Sequence, residues 1–117
     1  MPCRVADTRL PVGPQGGPAL AAGNSRNFGV SGICDVPPTA KAVAVNVTVV
    51  NATGPGNLTL YPAGTGVPLT STLNFRSGLA RANNAVVTLG GSGSVAVFCS
   101  MPSGSADFVL DVTGYFE

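Results

Sequence analysis

Histidine and tryptophan are missing from this 117-residue chain, and only eleven side chains carry a formal charge. Without histidine, Ser-His-Asp and Cys-His catalytic arrangements are excluded. A zinc site is equally poorly served, because the three cysteines include no Cys-x-x-Cys pair and no imidazole can complete a set. Calcium asks for six or more oxygen ligands, and no Asp/Asn-rich loop supplies them. The six Lys/Arg residues form neither a basic stripe nor an aromatic-basic alternation, which argues against nucleic acid as a partner. No apolar run approaches the roughly 18 residues of a membrane span. A charged segment leading into an apolar one, the mark of a signal peptide, is also missing. Met1 stands abruptly before Pro2-Cys3, as it would in a segment of a longer precursor.

Carboxylates are the remaining catalytic option. Asp107 and Asp111 fall on one face of a strand pattern, but four residues of extended chain separate them by about 13 Å. That is too far for the usual glycosidase pair unless Asp7 or Asp35 folds in. The expectation is a chain without catalytic, cofactor or metal sites, and not an enzyme.

What is present is the material of a β domain. The apolar fraction is 44%, ordinary for a folded protein, and the length suits one domain over 1–117. Charged residues make up 9%, against about 25% in typical domains. The surface must therefore be covered largely by Ser, Thr, Asn, Gly and Ala. A net charge of +1 opposes contact between copies only weakly.

The clearest strand runs from Ala42 to Val50. Val43, Val45, Val47 and Val49 fall on one face, and Ala42, Ala44, Asn46 and Thr48 on the other. After the turn residues 52–57, Leu58 to Tyr61 resumes the alternation, and Thr72 to Phe75 reads as another short strand. Asn84 to Leu89 and Ser94 to Cys99 flank Gly90-Gly91-Ser92-Gly93, a hairpin signal. In the last strand, Asp107 to Tyr115, Phe108, Leu110 and Val112 share a face. Arg4 to Ala6 and Arg26 to Val30 are shorter candidates. Helical signals are poor, since Ala19 to Gly23 and Gly78 to Asn83 suffice only for a turn. About eight short strands at regular spacing predict an all-β, antiparallel sandwich of jelly-roll type, with a small barrel or prism as alternatives.

Three cysteines allow three single-bridge pairings and leave one thiol over. Cys99 shares its face with Val95 and Val97, as a buried apolar residue would. Cys3 and Cys34 lie in less regular segments, so the expected bridge is Cys3–Cys34, with the other pairings open. Such a link closes a loop of about 30 residues and stabilises by a few kcal/mol. Asp7, Arg9 and Asp111 are expected to be structural, pairing oppositely charged groups or accepting backbone hydrogen bonds at strand ends. Asn46, Asn51 and Asn57 each begin a glycosylation triplet, a pattern that Thr/Asn-rich strands also produce by chance.

The opening Pro2-Cys3-Arg4-Val5-Ala6-Asp7-Thr8-Arg9 and the stretch Pro37 to Thr48 are distinctive. So are Leu73-Asn74-Phe75, Arg81-Ala82-Asn83-Asn84-Ala85 and Asp111-Val112-Thr113-Gly114-Tyr115-Phe116. In that order, over essentially the whole chain, they resemble a repeat-type extracellular domain of secreted and surface proteins of actinobacteria, acidobacteria and related bacteria. The resemblance implies an exported, secreted or surface-exposed β module and no activity. Two functions then compete. One is a structural or adhesive module that meets copies of itself as a homo-oligomer or polymer. The other is a carbohydrate-binding appendage of a secreted hydrolase, recognising a glycan such as one on the cell surface. Tyr61 and Tyr115 are the side chains suited to stacking on a sugar while offering a polar handle.

Overall fold

Strict alternation, as in the valine stretch from 42 to 50, buries one side of a strand and leaves the other at the surface. Such strands need a second sheet to cover their apolar side. The computed structural model describes residues 2–69 and 71–117 and shows this solution. Among the described residues there are nine strands and no helix. They are β1 (Cys3–Asp7), β2 (Leu20–Ala21), β3 (Ser25–Gly29), β4 (Ala42–Val50) and β5 (Gly56–Pro62), then β6 (Leu73–Phe75), β7 (Arg81–Thr88), β8 (Ser94–Ser100) and β9 (Ser105–Phe116).

Two antiparallel sheets form a sandwich. One runs β1-β9-β4-β7, with β2 extending the β1 side along β9, and the other runs β3-β8-β5-β6. Successive strands cross from sheet to sheet except at β1–β2 and β5–β6, which is the winding of a jelly roll. The valines of β4 enter the core as expected, Val43, Val47 and Val49 being fully buried. Phe108 and Leu110 of β9 meet them from the same sheet, and Phe28, Leu58, Val95 and Val97 from the opposite one. The Phe28 and Phe108 rings lie 5.3 Å apart at a tilt of 41°. Each such side chain contributes about 1.5–3 kcal/mol through removal from water.

Three sequence expectations need correction. The strands number nine because Leu20–Ala21 pairs with Ala106 and Ser105 of β9, a two-residue contact too short to leave a periodic trace. The strand expected from Asn84 begins at Arg81 instead, and all eight of its residues pair with β4. Gly90 to Gly93 do not close a hairpin, since β7 and β8 lie in different sheets. The chain turns there to cross the sandwich, with Gly90 N–H bonded to Ser94 O at 2.9 Å. Gly90 is required because its backbone rests on Ala63, whose carbonyl oxygen would stand 2.2 Å from an added Cβ.

Candidate functional site

β1 and β9 bring the scarce charges together. Their antiparallel register sets Arg4 opposite Asp111 and Asp7 opposite Val109, across a bulge between Arg4 and Ala6. Arg4 donates to Asp111 through Nε at 3.0 Å and Nη2 at 3.4 Å, and its Nη1 stands 3.6 Å from Asp7 Oδ2. Asp7 is buried, and it also accepts two bonds from the Arg9 guanidinium, at 2.9 and 2.8 Å, and one from the Arg9 backbone N–H at 3.0 Å. Those hydrogen bonds from Arg9 hold the Asp7 carboxyl below its ordinary range, against the opposing effect of burial. The hydrogen bond to Asp111 raises Arg4 in turn, and that to Asp7 raises Arg9.

Thr8 anchors this turn. Its N–H donates to Phe108 O, its Oγ1 accepts from Phe108 N–H at 2.8 Å, and its hydroxyl donates to Asp107 at 2.9 Å. Asp107 also accepts from Asn51 Nδ2 at 3.1 Å. Arg4, Asp7, Arg9, Asp107 and Asp111 are thus turned toward one another or toward neighbouring hydroxyl and amide groups. The cluster fastens the first strand to the last.

The same edge of the sandwich is closed by two further side chains. Gln15 Nε2 donates to Val5 O on β1 and to Gly29 O on β3, both at 3.0 Å, and so bridges the two sheets. Arg26 donates to the carbonyls of Gly13, Gly16, Gly17 and Pro18, and its guanidinium lies 4.8 Å from the centre of the Phe28 ring. Burial lowers the Arg26 pKa. Its charge organises the loop before β2. The sequence offered no sign of the Gln15 bridge: a lone glutamine between glycine and proline looks like any solvated loop residue.

Cys3 and Cys34 form a disulfide with Cα atoms 5.7 Å apart, the pairing expected from their irregular surroundings. Cys99 is free and fully buried between the sheets, where burial raises its thiol pKa. Tyr61 corrects a sequence expectation. Leu58 and Leu60 point inward, which turns Tyr61 to the outer face, but it is only 6% exposed there. Its hydroxyl is 2.9 Å from Ser25 Oγ on β3, beyond the intervening β8. The ring is committed to covering its own sheet and offers no stacking platform. Tyr115, at the end of β9 opposite Val43, is about half exposed.

The remaining surface of note is the outer face of the β1-β9-β4-β7 sheet. The pairing places Phe116, Ala42 and Thr88 in one row across β9, β4 and β7, then Gly114, Ala44 and Val86 in the next. Asp111, Asn46 and Asn84 follow, and then Val109, Thr48 and Ala82. Val86 and Phe116 are more than half exposed. A shallow depression of about 410 Å³ lies here, with Ala44, Asn84, Val86 and Thr113 in its lining. Past Asp111 toward β7, none of these positions carries a charge until Arg81 at the start of that strand.

No protein-family model and no curated protein matches the chain. Among solved structures it is similar to the coat protein of Tobacco streak virus. The dimer of that protein aligns over 97% of this chain and 83% of the coat protein, at 13% identity and a TM-score of 0.51. A second crystal form aligns over 97% and 85%, at 13% identity and a TM-score of 0.49. At this identity the likeness is one of fold: the chain is an antiparallel β-sandwich resembling the jelly roll of a coat protein.

Proposed function

We propose that this domain is a non-catalytic structural and adhesive module, exported to the bacterial surface or beyond, that works by meeting copies of itself. The observation carrying this reading is the outer face of the β1-β9-β4-β7 sheet. Its charges at Arg4, Asp7, Arg9 and Asp111 neutralise one another within the domain, and the rows from Asn46 to Thr88 are small and neutral. Asp107 on the same face is hydrogen-bonded by Thr8 and Asn51, so a neighbour laid on the rows toward β7 would meet no unsatisfied charge and the main penalty of forming an interface is reduced. The net charge of +1 adds little long-range repulsion.

The Cys3–Cys34 bridge fits an oxidising compartment. No helix among the described residues is long and apolar enough to cross a membrane. The coat protein of similar fold is described as a dimer, so this class of sandwich is compatible with pairing. A carbohydrate-binding role draws less support, because the Tyr61 ring is occupied by its own sheet.

Light scattering of the oxidised domain across a concentration series tests the proposal, with electron microscopy of the most concentrated sample. Mass rising with concentration, or ordered sheets or fibres, is the expected result. A strict monomer throughout, together with a glycan-array signal lost in Tyr115→Ala, would overturn it in favour of sugar binding.

A further inference from the structure

A jelly roll leaves four edge strands, each a row of unpaired N–H and C=O groups, and proteins guard such rows against unwanted pairing. Three edges here carry a guard. β1 has a bulge, the disulfide at Cys3, and Gln15 on the carbonyl of Val5. The edge at β3 ends under the same Gln15, which takes Gly29 O, and Arg26 ties β3 to the preceding loop. The β6 edge is only three residues long.

β7 differs on every count. It has eight residues in unbroken register with β4, with no bulge, no proline and no lysine. Its one charge, Arg81, stands at its first position. Leu89 N–H bonds to Lys41 O just beyond the strand, which sets the alternation. The odd-numbered residues of β7 turn their peptide groups toward β4, and Ala82, Asn84, Val86 and Thr88 turn theirs outward. Asn84 N–H is capped by Asn83 Oδ1 at 3.0 Å, as an outward-pointing donor can be.

We propose that the outward edge of β7 joins β7 of a second copy, antiparallel and about a two-fold axis, so that two four-stranded layers become one continuous sheet. The proposal rests on the reading that the domain self-associates and adds an edge contact to the face described above. The register that engages all four outward residues has its axis at Ala85. It sets Ala82 against Thr88 of the second copy and Asn84 against Val86. Arg81 then faces Leu89, so no like charges oppose each other across the seam. Pairing replaces the Asn83 cap on Asn84 with a carbonyl of the second copy. It also continues the neutral rows of the outer face from one copy to the next, and a second copy matches this edge because its single charge, Arg81, meets no other charge across the seam. Closed two-fold pairing of this kind uses one patch twice and stops at two.

Amide exchange measured by NMR, at low and high concentration of the oxidised domain, tests this residue by residue. The N–H groups of Ala82, Val86 and Thr88 are expected to slow by at least about tenfold as copies pair, while those of Ala85 and Val87, already bonded to β4, change little. Val86→Pro removes one outward donor from each copy and leaves the bonds to β4 intact. It is expected to weaken association about thirtyfold. Association that persists in Val86→Pro, with the even-numbered amides still exchanging freely, would overturn the β7 seam while leaving self-association standing. A wild-type domain that stays monomeric would overturn both. Should Val86→Pro not fold, the wild-type exchange pattern decides alone.

Discussion

Breaking the Cys3–Cys34 bridge is the perturbation whose size the structure fixes best. The two residues are 31 apart in sequence. In the chain-entropy description, releasing a loop of that length returns about 3.7 kcal/mol of freedom to the unfolded chain. Native contacts add little, because Cys3 is exposed and Cys34 only partly buried, so the missing sulfurs leave no sealed cavity. Unfolding a domain of this length releases about 0.25 kcal/mol/K, so the midpoint should fall by about 15 °C. The assay is thermal denaturation followed by circular dichroism, on oxidised wild type, on wild type in reductant, and on Cys3→Ser/Cys34→Ser. Reductant should lower the wild-type midpoint to that of the double variant and leave the double variant unmoved. Cys99 does not confuse the comparison, since its thiol is buried and its pKa raised. A wild-type shift below about 5 °C would refute the loop-entropy reasoning and place the value of the bridge elsewhere.

Two further outcomes follow from single sites. Asp7 has a folded pKa below its unfolded one, so its contribution is present above the unfolded pKa and is lost as pH falls through the folded value. Asp7→Asn should cost about 1 kcal/mol near neutrality by weakening the part-buried bonds to Arg9, and should flatten the acid limb of stability against pH in denaturant titrations; an unchanged limb counts against the assignment. Gly56→Ala should destabilise by about 1–3 kcal/mol in urea unfolding, since its Cβ would lie 2.4 Å from Ser100 O and 2.7 Å from Met101 Cγ, a wedge that the sheet absorbs only by moving backbone; a neutral result would mean β5 shifts freely.

The legibility of this fold depended on how unequal the two sides of each strand are. β4 and β9 were readable because one side of each meets the core and the other does not, which writes valine, leucine and phenylalanine at every second position. The start of β7 was not: Arg81 to Asn84 are exposed on both faces, so nothing in their environment imposes a period. Tyr61 was misread for the opposite reason. Alternation placed it correctly on the outer face, yet it carries no information about whether that face is covered. Gly90 to Gly93 showed that the chemistry of a tight turn is shared by a hairpin and by a crossing between sheets, and the difference lies in the distant Ala63. Within the charged cluster, the lack of any histidine turned the reading of Asp7 and Asp111 toward a structural role, and the structure pairs both with Arg4. Their linkage through Arg4 required the β1–β9 register, with its bulge, that sequence spacing does not encode.

The antiparallel pairing of β1 with β9 also decides how the domain would yield to a pull. Cys3 lies opposite Val112, so the chain enters and leaves at the same end of that pair. Tension applied to the two ends would load its hydrogen bonds one after another, like the teeth of a zip, instead of all at once in shear. The disulfide diverts that tension. At Cys3 it passes across to Cys34, ahead of β4, whose first residue, Ala42, lies opposite Phe116. A tear must then open β4 from β9 as well as β1 from β9. In an exposed, tethered module, oxidation of one cysteine pair would raise the mechanical threshold of the whole sheet.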